Sequence, residues 1–344
     1  MIYTNDFTTT CEGFRVPNEY LAQLTEQGLE GLMLNCQEFV SSASAFVSHD
    51  LQEKIRTTRI LVAGNGSIGN PIATMLARSG AEYITNADPE VIEISNLARQ
   101  EYFSNQVGKN KAEMTKLNIL AINPNATQAV KSISQGITYD NVLELVKESD
   151  IIIDGIDIRS SEMTWELHKN AAKFKKPVIV GYDLAGTAMI KIYRYDLKQM
   201  SPLDHEISET TIKEFVKIKT KYHEGKISES QYLDYVYEVL TGPINPFLVP
   251  VEQFKEIINR KAEDTGTAQI GTTARLVSVL VVEAIKQILA GEPVKGVFSI
   301  DVPTIVRKNN PTIFAKIKLM LETLAIVNKR GKKVRSMLTN IDSL

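Results

Sequence analysis

The stretch Arg59-Ile60-Leu61-Val62-Ala63-Gly64-Asn65-Gly66-Ser67-Ile68-Gly69 decides the fold class of this 344-residue chain. Its first half is a short apolar run rich in β-branched residues, which is typical of a buried parallel strand. Its second half spells Gly-x-Gly-x-x-Gly. Gly64 permits a tight turn, Gly66 lets backbone N–H groups approach a phosphate, and Gly69 lets the next helix pack closely on the strand. Residues 71–79 predict that helix, with Gly80 at its C-terminal end, and its N-terminus favours an anion.

The rest of the central region repeats the alternation of strand and helix. Further strands are predicted at 83–87, 151–153, 177–180 and 189–193, and helices at 109–121, 139–149 and 162–174. Strands that alternate with helices predict a parallel sheet covered on both faces. The expected fold class is therefore α/β, with a Rossmann-like, doubly wound, mainly parallel sheet and an added helical segment.

Four segments follow from changes in composition along the chain. Residues 1–55 predict an N-terminal helical extension, and 56–200 the nucleotide-binding core. Residues 201–265 are charged and helical, and are interpreted as an insert for substrate recognition or dimer contact. Residues 266–344 return to the core with a late apolar helix, a strand at 297–301 and a basic terminal helix. The basic run Lys329–Arg335 is interpreted as a solvated terminus.

Composition excludes several classes of protein. The chain is 43% hydrophobic and 23% charged with a net charge of -2, which argues against a nucleic-acid partner. The N-terminus lacks a signal-peptide pattern, and the most apolar stretch, 276–290, is too short and too interrupted to cross a bilayer. A cytoplasmic protein without a membrane partner is expected. The two cysteines, Cys11 and Cys36, form no Cys-x-x-Cys pair, so zinc is not expected.

Polar residues follow the second predicted strand in a pattern that suits a triphosphate. Asp88 ends that strand, where a carboxylate can accept hydrogen bonds from ribose hydroxyls. Asn96, Arg99 and Gln100 come next, and Lys111 follows shortly. Each charge alone is typical of a solvated surface. Two cations together can neutralise charge that moves when the α–β bond of a triphosphate breaks, which a dehydrogenase does not need.

The strand at 151–153 ends in a second candidate group. Asp157 lies just beyond it, and ligands of open α/β sheets bind beyond the carboxyl ends of the strands. A carboxylate there can hold Mg²⁺ against phosphate oxygens. An N-cap role is the alternative. Tyr182 and Asp183 follow the next strand, with a substrate-facing or a structural role open.

With these residues in place, residues 59–195 resemble the ThiF/MoeB/HesA family, the adenylating domain shared with ubiquitin-activating enzymes. The matching elements are Gly64-x-Gly66-x-x-Gly69, Asp88, Ser95-Asn96-Leu97-x-Arg99-Gln100, Gly108-x-x-Lys111, Asn123-Pro124 and Asp154-x-x-Asp157. The late helix at 274–290 is similar to that of the family.

The resemblance implies binding of ATP and Mg²⁺, with transfer of AMP to a carboxylate, and a homodimer. By position it implies that Gly64, Gly66, Ser67 and Gly69 line the nucleotide and that Asp88 holds the ribose. It also implies that Asn96, Arg99, Gln100 and Lys111 belong to the ATP site, and that Asp157 binds magnesium. The catalytic residues it implies are Arg99, Lys111 and Asp157.

Departures from the family pattern narrow the expected function. No cysteine follows Cys36, which excludes a thioester or persulfide step through a downstream cysteine. Many relatives carry an Arg-x-x-Arg stretch that reaches the partner's ATP, but residues 36–50 contain no arginine. Either this chain makes no such contribution to a partner's site, or Arg15 substitutes for the stretch. Ile158 stands where relatives often have a polar residue. The expected function is therefore ATP-dependent adenylation of a carboxylate on a peptide or small protein, in the maturation of a peptide natural product such as an antibiotic.

Three alternatives stay open. The first is ATP-dependent modification of a carboxylate on tRNA, against which the acidic balance argues. The second is an NAD-dependent dehydrogenase, which the cations do not favour. The third is a non-catalytic regulatory subunit that keeps the fold, for which Arg99, Lys111 and Asp157 would have no use.

Overall fold

The computed structural model describes residues 39–240, 245–260 and 268–341. The strands of these residues are β1 (Ile60–Ala63), β2 (Ile84–Ala87), β3 (Lys131–Ile133), β4 (Ile151–Asp154), β5 (Val178–Leu184), β6 (Thr187–Tyr193) and β7 (Val297–Asp301). They form one sheet in the order β3-β2-β1-β4-β5-β6-β7. The first five strands are parallel, whereas β6 and β7 are antiparallel to their neighbours. The predicted α/β fold is confirmed.

Helices cover both faces of this sheet, because alternate strand residues point to opposite sides. The helices are α1 (His49–Thr57), α2 (Gly69–Arg78), α3 (Lys111–Ile122), α4 (Val142–Glu148), α5 (Ser161–Phe174), α6 (Glu209–His223), α7 (Glu229–Leu240), α8 (Val251–Asn259), α9 (Gly271–Ala290), α10 (Val302–Val306) and α11 (Ile313–Ile341). On β1, Ile60 and Val62 join a core with α2, α3 and α9. Leu61 and Ala63 join a second core with α4, α5, α6 and α7.

The sheet differs from the predicted one in two places. The strand β3 was not predicted, because Lys131-Ser-Ile133 is short, lies at the sheet edge and is exposed or half-buried. The strand at 151–154 is consequently the fourth and not the third. The strand β6 returns antiparallel to β5 through a two-residue turn at Ala185 and Gly186, both with positive φ. Such turns match the twist of a hairpin.

The described residues of the predicted insert are mostly helical, and the C-terminal helix α11 packs against two of these helices, α7 and α8. The expectation of a solvated basic run is confirmed for Lys329, Lys332 and Lys333, which are exposed, and is wrong for Arg335. Val327 and Val334 are 3% and 2% exposed, and the Arg335 guanidinium lies 2.7 Å from a Glu214 carboxylate oxygen. Residues 1–38, which hold most of the predicted N-terminal extension, Arg15 and both cysteines, lie outside the described residues.

The strand order fixes where a ligand can bind. From β1 the chain runs to β2 and β3 on one side, and then crosses to β4 and β5 on the other side. The helices that follow β1 and β4 therefore leave the sheet in opposite directions, and a crevice opens between the carboxyl ends of these two strands. The glycine-rich turn and the turn that holds Asp157 both lie there.

Candidate functional site

The glycine-rich turn after β1 is shaped by contacts with the turn after β4. Gly64 has φ +89, and a Cβ there would lie 2.1 Å from the Gly155 carbonyl oxygen. A Cβ on Gly69 would lie 1.8 Å from the Gly64 oxygen. A Cβ on Gly66 would meet only the Gln100 amide nitrogen, at 3.9 Å. The packing of the protein thus requires the first and third glycines, while the second faces open space that a phosphate could approach.

Asp88, at the end of β2, holds the glycine-rich turn in place. Its carboxylate is 5% exposed and accepts hydrogen bonds from the backbone N–H groups of Asn65, at 2.6 Å, and Glu90, at 2.8 Å. Burial raises the pKa of Asp88, and these two hydrogen bonds and the nearby Lys111 oppose that rise. A buried carboxylate at the tip of the second strand is placed as a ribose-binding group would be.

The two cations of the predicted set lie beside this turn on separate elements. The Lys111 side chain is 5% exposed and its Nζ lies 2.5 Å from the exposed Glu90 carboxylate. The Tyr102 hydroxyl donates to the Asn65 carbonyl oxygen at 2.8 Å and lies 3.2 Å from the Lys111 carbonyl oxygen, which ties the start of α3 to the turn. Arg99 is half-buried, and its Nη1 donates to the Ser95 carbonyl oxygen at 2.8 Å.

The two predicted amides contribute differently. The Asn96 side chain is buried and its Oδ1 accepts from the Glu93 N–H at 3.1 Å, so it caps the 3-10 turn at Ile94–Ala98. Gln100 is 4% exposed, and among the described residues its Oε1 has no hydrogen-bond partner. A buried amide oxygen without a partner costs free energy. The nitrogen of the same amide is the atom nearest to a Cβ built on Gly66, at 3.9 Å, so this amide lies beside the open face of the glycine-rich turn.

Asp157 occupies the turn after β4 and is exposed. Its Oδ1 accepts from the Arg159 N–H at 2.8 Å and so caps the 3-10 helix Ile158–Ser160. Asp157 therefore has the N-cap role that was predicted as the alternative. One capping oxygen leaves the second free to face a cation, and Mg²⁺ commonly takes one or two protein carboxylates together with phosphate oxygens. The residues present therefore fit a magnesium–nucleotide complex. Among the described residues no group of three or more potential metal ligands occurs.

A buried polar chain that the sequence did not indicate supports the turn after β4. His168 on α5 is fully buried, with Nε2 3.2 Å from an Asp154 oxygen and Nδ1 2.9 Å from the Tyr195 hydroxyl. The Tyr195 hydroxyl accepts from the Leu203 N–H at 2.9 Å. The other Asp154 oxygen accepts from the Ile156 N–H at 3.1 Å and shapes the turn before Asp157. Only the position of His168 in the buried stripe of α5 could have signalled it.

The segment before α9 contacts the glycine-rich turn, and the sequence did not indicate this contact either. The Gln269 amide oxygen accepts from the Ser67 hydroxyl at 2.8 Å and from the Arg99 Nε at 2.9 Å. The next N–H, of Ile270, donates to Asp183 Oδ2 at 3.0 Å. Burial raises the pKa of Asp183 to about 6, and the Ile270 hydrogen bond opposes that rise. Asp183 thus has a structural contact close to Arg99.

A separate cavity lies away from the glycine-rich turn. It has a volume of about 410 Å³ and is lined by residues that precede β1, β4 and β5, among them Thr58, Asp150 and Pro177. It therefore opens at the amino ends of the strands, opposite the glycine-rich turn. Because ligands of open α/β sheets bind beyond the carboxyl ends, we place the candidate site at the glycine-rich turn.

Together the fold and the glycine-rich turn define an α/β protein with a Rossmann-like nucleotide site. Comparison with known proteins is more specific. The ThiF family profile matches residues 40–329, and the chain belongs to this family.

Individual relatives align over the same core. The probable molybdopterin-synthase adenylyltransferase of Porphyra purpurea is 39% identical over 107 residues, 31% of this chain and 28% of that protein. The molybdopterin-synthase adenylyltransferase of Haemophilus influenzae is 25% identical over 151 residues, 44% of this chain and 60% of that protein. The chain thus matches less than two thirds of either relative. The crystal structure of PaaA, 20% identical, superposes with a TM-score of 0.52 over 87% of this chain and 84% of that one, which shows a shared fold.

None of the helices in the described part of the chain is long and apolar enough to cross a membrane.

Proposed function

We propose that this chain binds ATP with Mg²⁺ and transfers AMP to a carboxylate of a peptide or small protein. The observation that carries the proposal is the convergence of the Ser67 hydroxyl and the Arg99 guanidinium on one acceptor oxygen, beside a glycine whose face is open. Donors that converge in this way, next to a helix N-terminus, are suited to phosphate oxygens. Membership of a family whose named relatives are adenylyltransferases supports the same chemistry.

The reaction assigns a role to each residue. A substrate carboxylate oxygen attacks the α-phosphorus and forms a new P–O bond, and the bond from that phosphorus to the bridging oxygen breaks. Pyrophosphate leaves with the electron pair. Arg99 and Lys111 would neutralise the charge that builds on the leaving phosphates, and Asp157 would hold the magnesium that binds phosphate oxygens. Asp88 would hold the ribose, and Gly64, Gly66, Ser67, Gly69, Asn96 and Gln100 would form the rest of the nucleotide site.

The substrate class follows from what the chain lacks and what it adds. No cysteine follows Cys36, so the activated carboxylate is not passed to a downstream thiol of this chain. A nucleophile within the substrate would then complete the reaction, and we propose that this reaction belongs to the maturation of a peptide natural product. The insert helices α6 and α7 pack beside the core with α11 and would contribute the substrate contacts. We further propose that the protein is a homodimer. Light scattering during size-exclusion chromatography would test this by measuring the molar mass of the eluting protein.

Product analysis with ATP labelled at the α-phosphate tests the proposal. The purified protein is incubated with Mg²⁺, labelled ATP and candidate peptides, and the products are resolved by chromatography. AMP and pyrophosphate are expected, with rates reduced about 10²–10³-fold in Arg99→Ala, while Arg78→Ala, an exposed arginine at the end of α2, is a control with unchanged rates. ADP as the product would replace adenylation with acyl-phosphate chemistry. Binding of NAD without binding of ATP would remove the proposal.

A further inference from the structure

Gln269 makes a contact that resembles that of a phosphate. Its single amide oxygen accepts hydrogen bonds from the Ser67 hydroxyl at 2.8 Å and from the Arg99 Nε at 2.9 Å. Ser67 lies in the glycine-rich turn, and Arg99 lies beyond β2. Two groups of the candidate ATP site therefore donate to the same oxygen, and that oxygen belongs to a residue 202 positions after Ser67. Phosphate oxygens accept hydrogen bonds from hydroxyl and guanidinium donors at such distances.

We propose that the Gln269 side chain occupies, in the nucleotide-free protein, the position of a phosphate oxygen of ATP, and that ATP binds by displacing it. The inference rests on the proposed function, because it presupposes that ATP binds at this turn. Gln269 then acts as a built-in competitor that lowers the affinity for the nucleotide. In the absence of ATP it keeps two donors paired and Arg99 oriented toward the site.

The backbone that follows the competing side chain is held in place. The Ile270 N–H donates to Asp183 at 3.0 Å. A Cβ on Gly271 would lie 2.4 Å from the Ala98 carbonyl oxygen, so this residue is in close contact with the 3-10 turn before Arg99. Displacement therefore needs only a rotation of the half-buried Gln269 side chain toward solvent, and no opening of the segment.

Charge favours the exchange. The Gln269 amide oxygen is neutral, whereas a phosphate oxygen is anionic, and hydrogen bonds between charged partners are roughly twice as strong as those between neutral ones. Arg99 stays anchored meanwhile, because its Nη1 donates to the Ser95 carbonyl oxygen at 2.8 Å. A carboxylate in place of the Gln269 amide would be negatively charged, as a phosphate is, and would compete with ATP more strongly than the amide does.

Calorimetric titration of the full chain with α,β-methylene-ATP and Mg²⁺ tests the inference through two variants of opposite expected sign. Gln269→Ala removes the competitor and should lower Kd about 5–100-fold, the net worth of two hydrogen bonds of which one comes from a charged donor. Gln269→Glu should raise Kd about 10–100-fold, because its carboxylate pairs with Arg99. Gln287→Ala, at a glutamine on α9 that pairs with Glu283, is the matched control and should leave Kd unchanged.

The outcomes separate the inference from the proposed function. An unchanged or raised Kd in Gln269→Ala, with wild-type binding intact, overturns the competitor and leaves the ATP site standing. A Gln269→Glu variant that binds as tightly as wild type overturns it as well. Failure of the wild type to bind the analogue removes the ATP site itself, and the inference with it. Thermal unfolding of each variant without nucleotide shows whether a loss of binding reflects a loss of fold.

Discussion

Two glycines of the glycine-rich turn, Gly66 and Gly69, should respond in different ways to substitution by alanine. In Gly69→Ala the new Cβ would lie 1.8 Å from the Gly64 oxygen and 2.9 Å from a Val62 methyl group, so α2 must move away from β1. Overpacking of this kind costs roughly 1–3 kcal/mol or more of the free energy of unfolding. In Gly66→Ala the Cβ meets only one atom, at 3.9 Å, and Gly66 is not among the glycines with positive φ.

Gly66→Ala should therefore fold as well as the wild type. Loss of conformational freedom in the unfolded chain should raise its free energy of unfolding by about 0.4–1 kcal/mol. Its Cβ nevertheless enters the space that a phosphate would approach, so affinity for α,β-methylene-ATP should fall at least about tenfold, or about 1.4 kcal/mol. Urea denaturation followed by circular dichroism gives the stabilities, and calorimetry gives Kd. If Gly66→Ala were as unstable as Gly69→Ala, or bound the analogue like the wild type, the assignment of open space above Gly66 would be refuted.

Further predictions concern charge and burial. Lys111→Met keeps the volume of the side chain but removes the cation, and should lower the rate of AMP formation about 10²–10³-fold in the product assay, whereas Lys131→Met, at an exposed lysine on β3 that pairs with Glu148, should not change it. Burial raises the folded-state pKa of Asp183 to about 6, above its value of 3.8, so the stability that protonation contributes is complete below pH 3.8 and is lost as pH rises through 6. Asp183→Asn should consequently gain stability relative to wild type as pH rises from about 4 to about 6 in urea denaturation, and an equal pH dependence of the two would contradict this. His168→Ala should lower the free energy of unfolding by roughly 3 kcal/mol, since it opens a cavity and leaves buried partners without hydrogen bonds, and a loss below about 1 kcal/mol would show that the chain from Asp154 to Tyr195 contributes little.

The sequence predicted those features that depend on residues close together in the chain. The strand at 60–63, the turn with Gly64 and Gly69, and Asp88 lie in one strand–turn–helix–strand unit, whose spacing restricts the backbone strongly. The turn after β4 was also predicted, with both the N-cap and the magnesium roles of Asp157 in view. The short strand β3 escaped prediction because Lys131 and Ser132 carry no apolar pattern.

Contacts between distant segments could not be predicted in the same way. Gln269 lies 202 residues from Ser67, and nothing in its local sequence indicates that its side chain reaches the glycine-rich turn. His168 is an isolated histidine in a helix, and its partners Asp154 and Tyr195 come from two different strands or their ends. The contact of Arg335 could not be predicted because its acidic partner, Glu214, lies in the insert, far away in the chain. Only the packing of the whole chain brings these groups together.

The most direct test of the account is calorimetric titration of the wild-type chain with α,β-methylene-ATP in the presence of Mg²⁺, alongside a titration with NAD. The account predicts saturable binding of the ATP analogue that weakens when Mg²⁺ is withheld, and no comparable binding of NAD. Binding of NAD without binding of the analogue would contradict the assignment of Arg99, Lys111 and Asp157 to a triphosphate site.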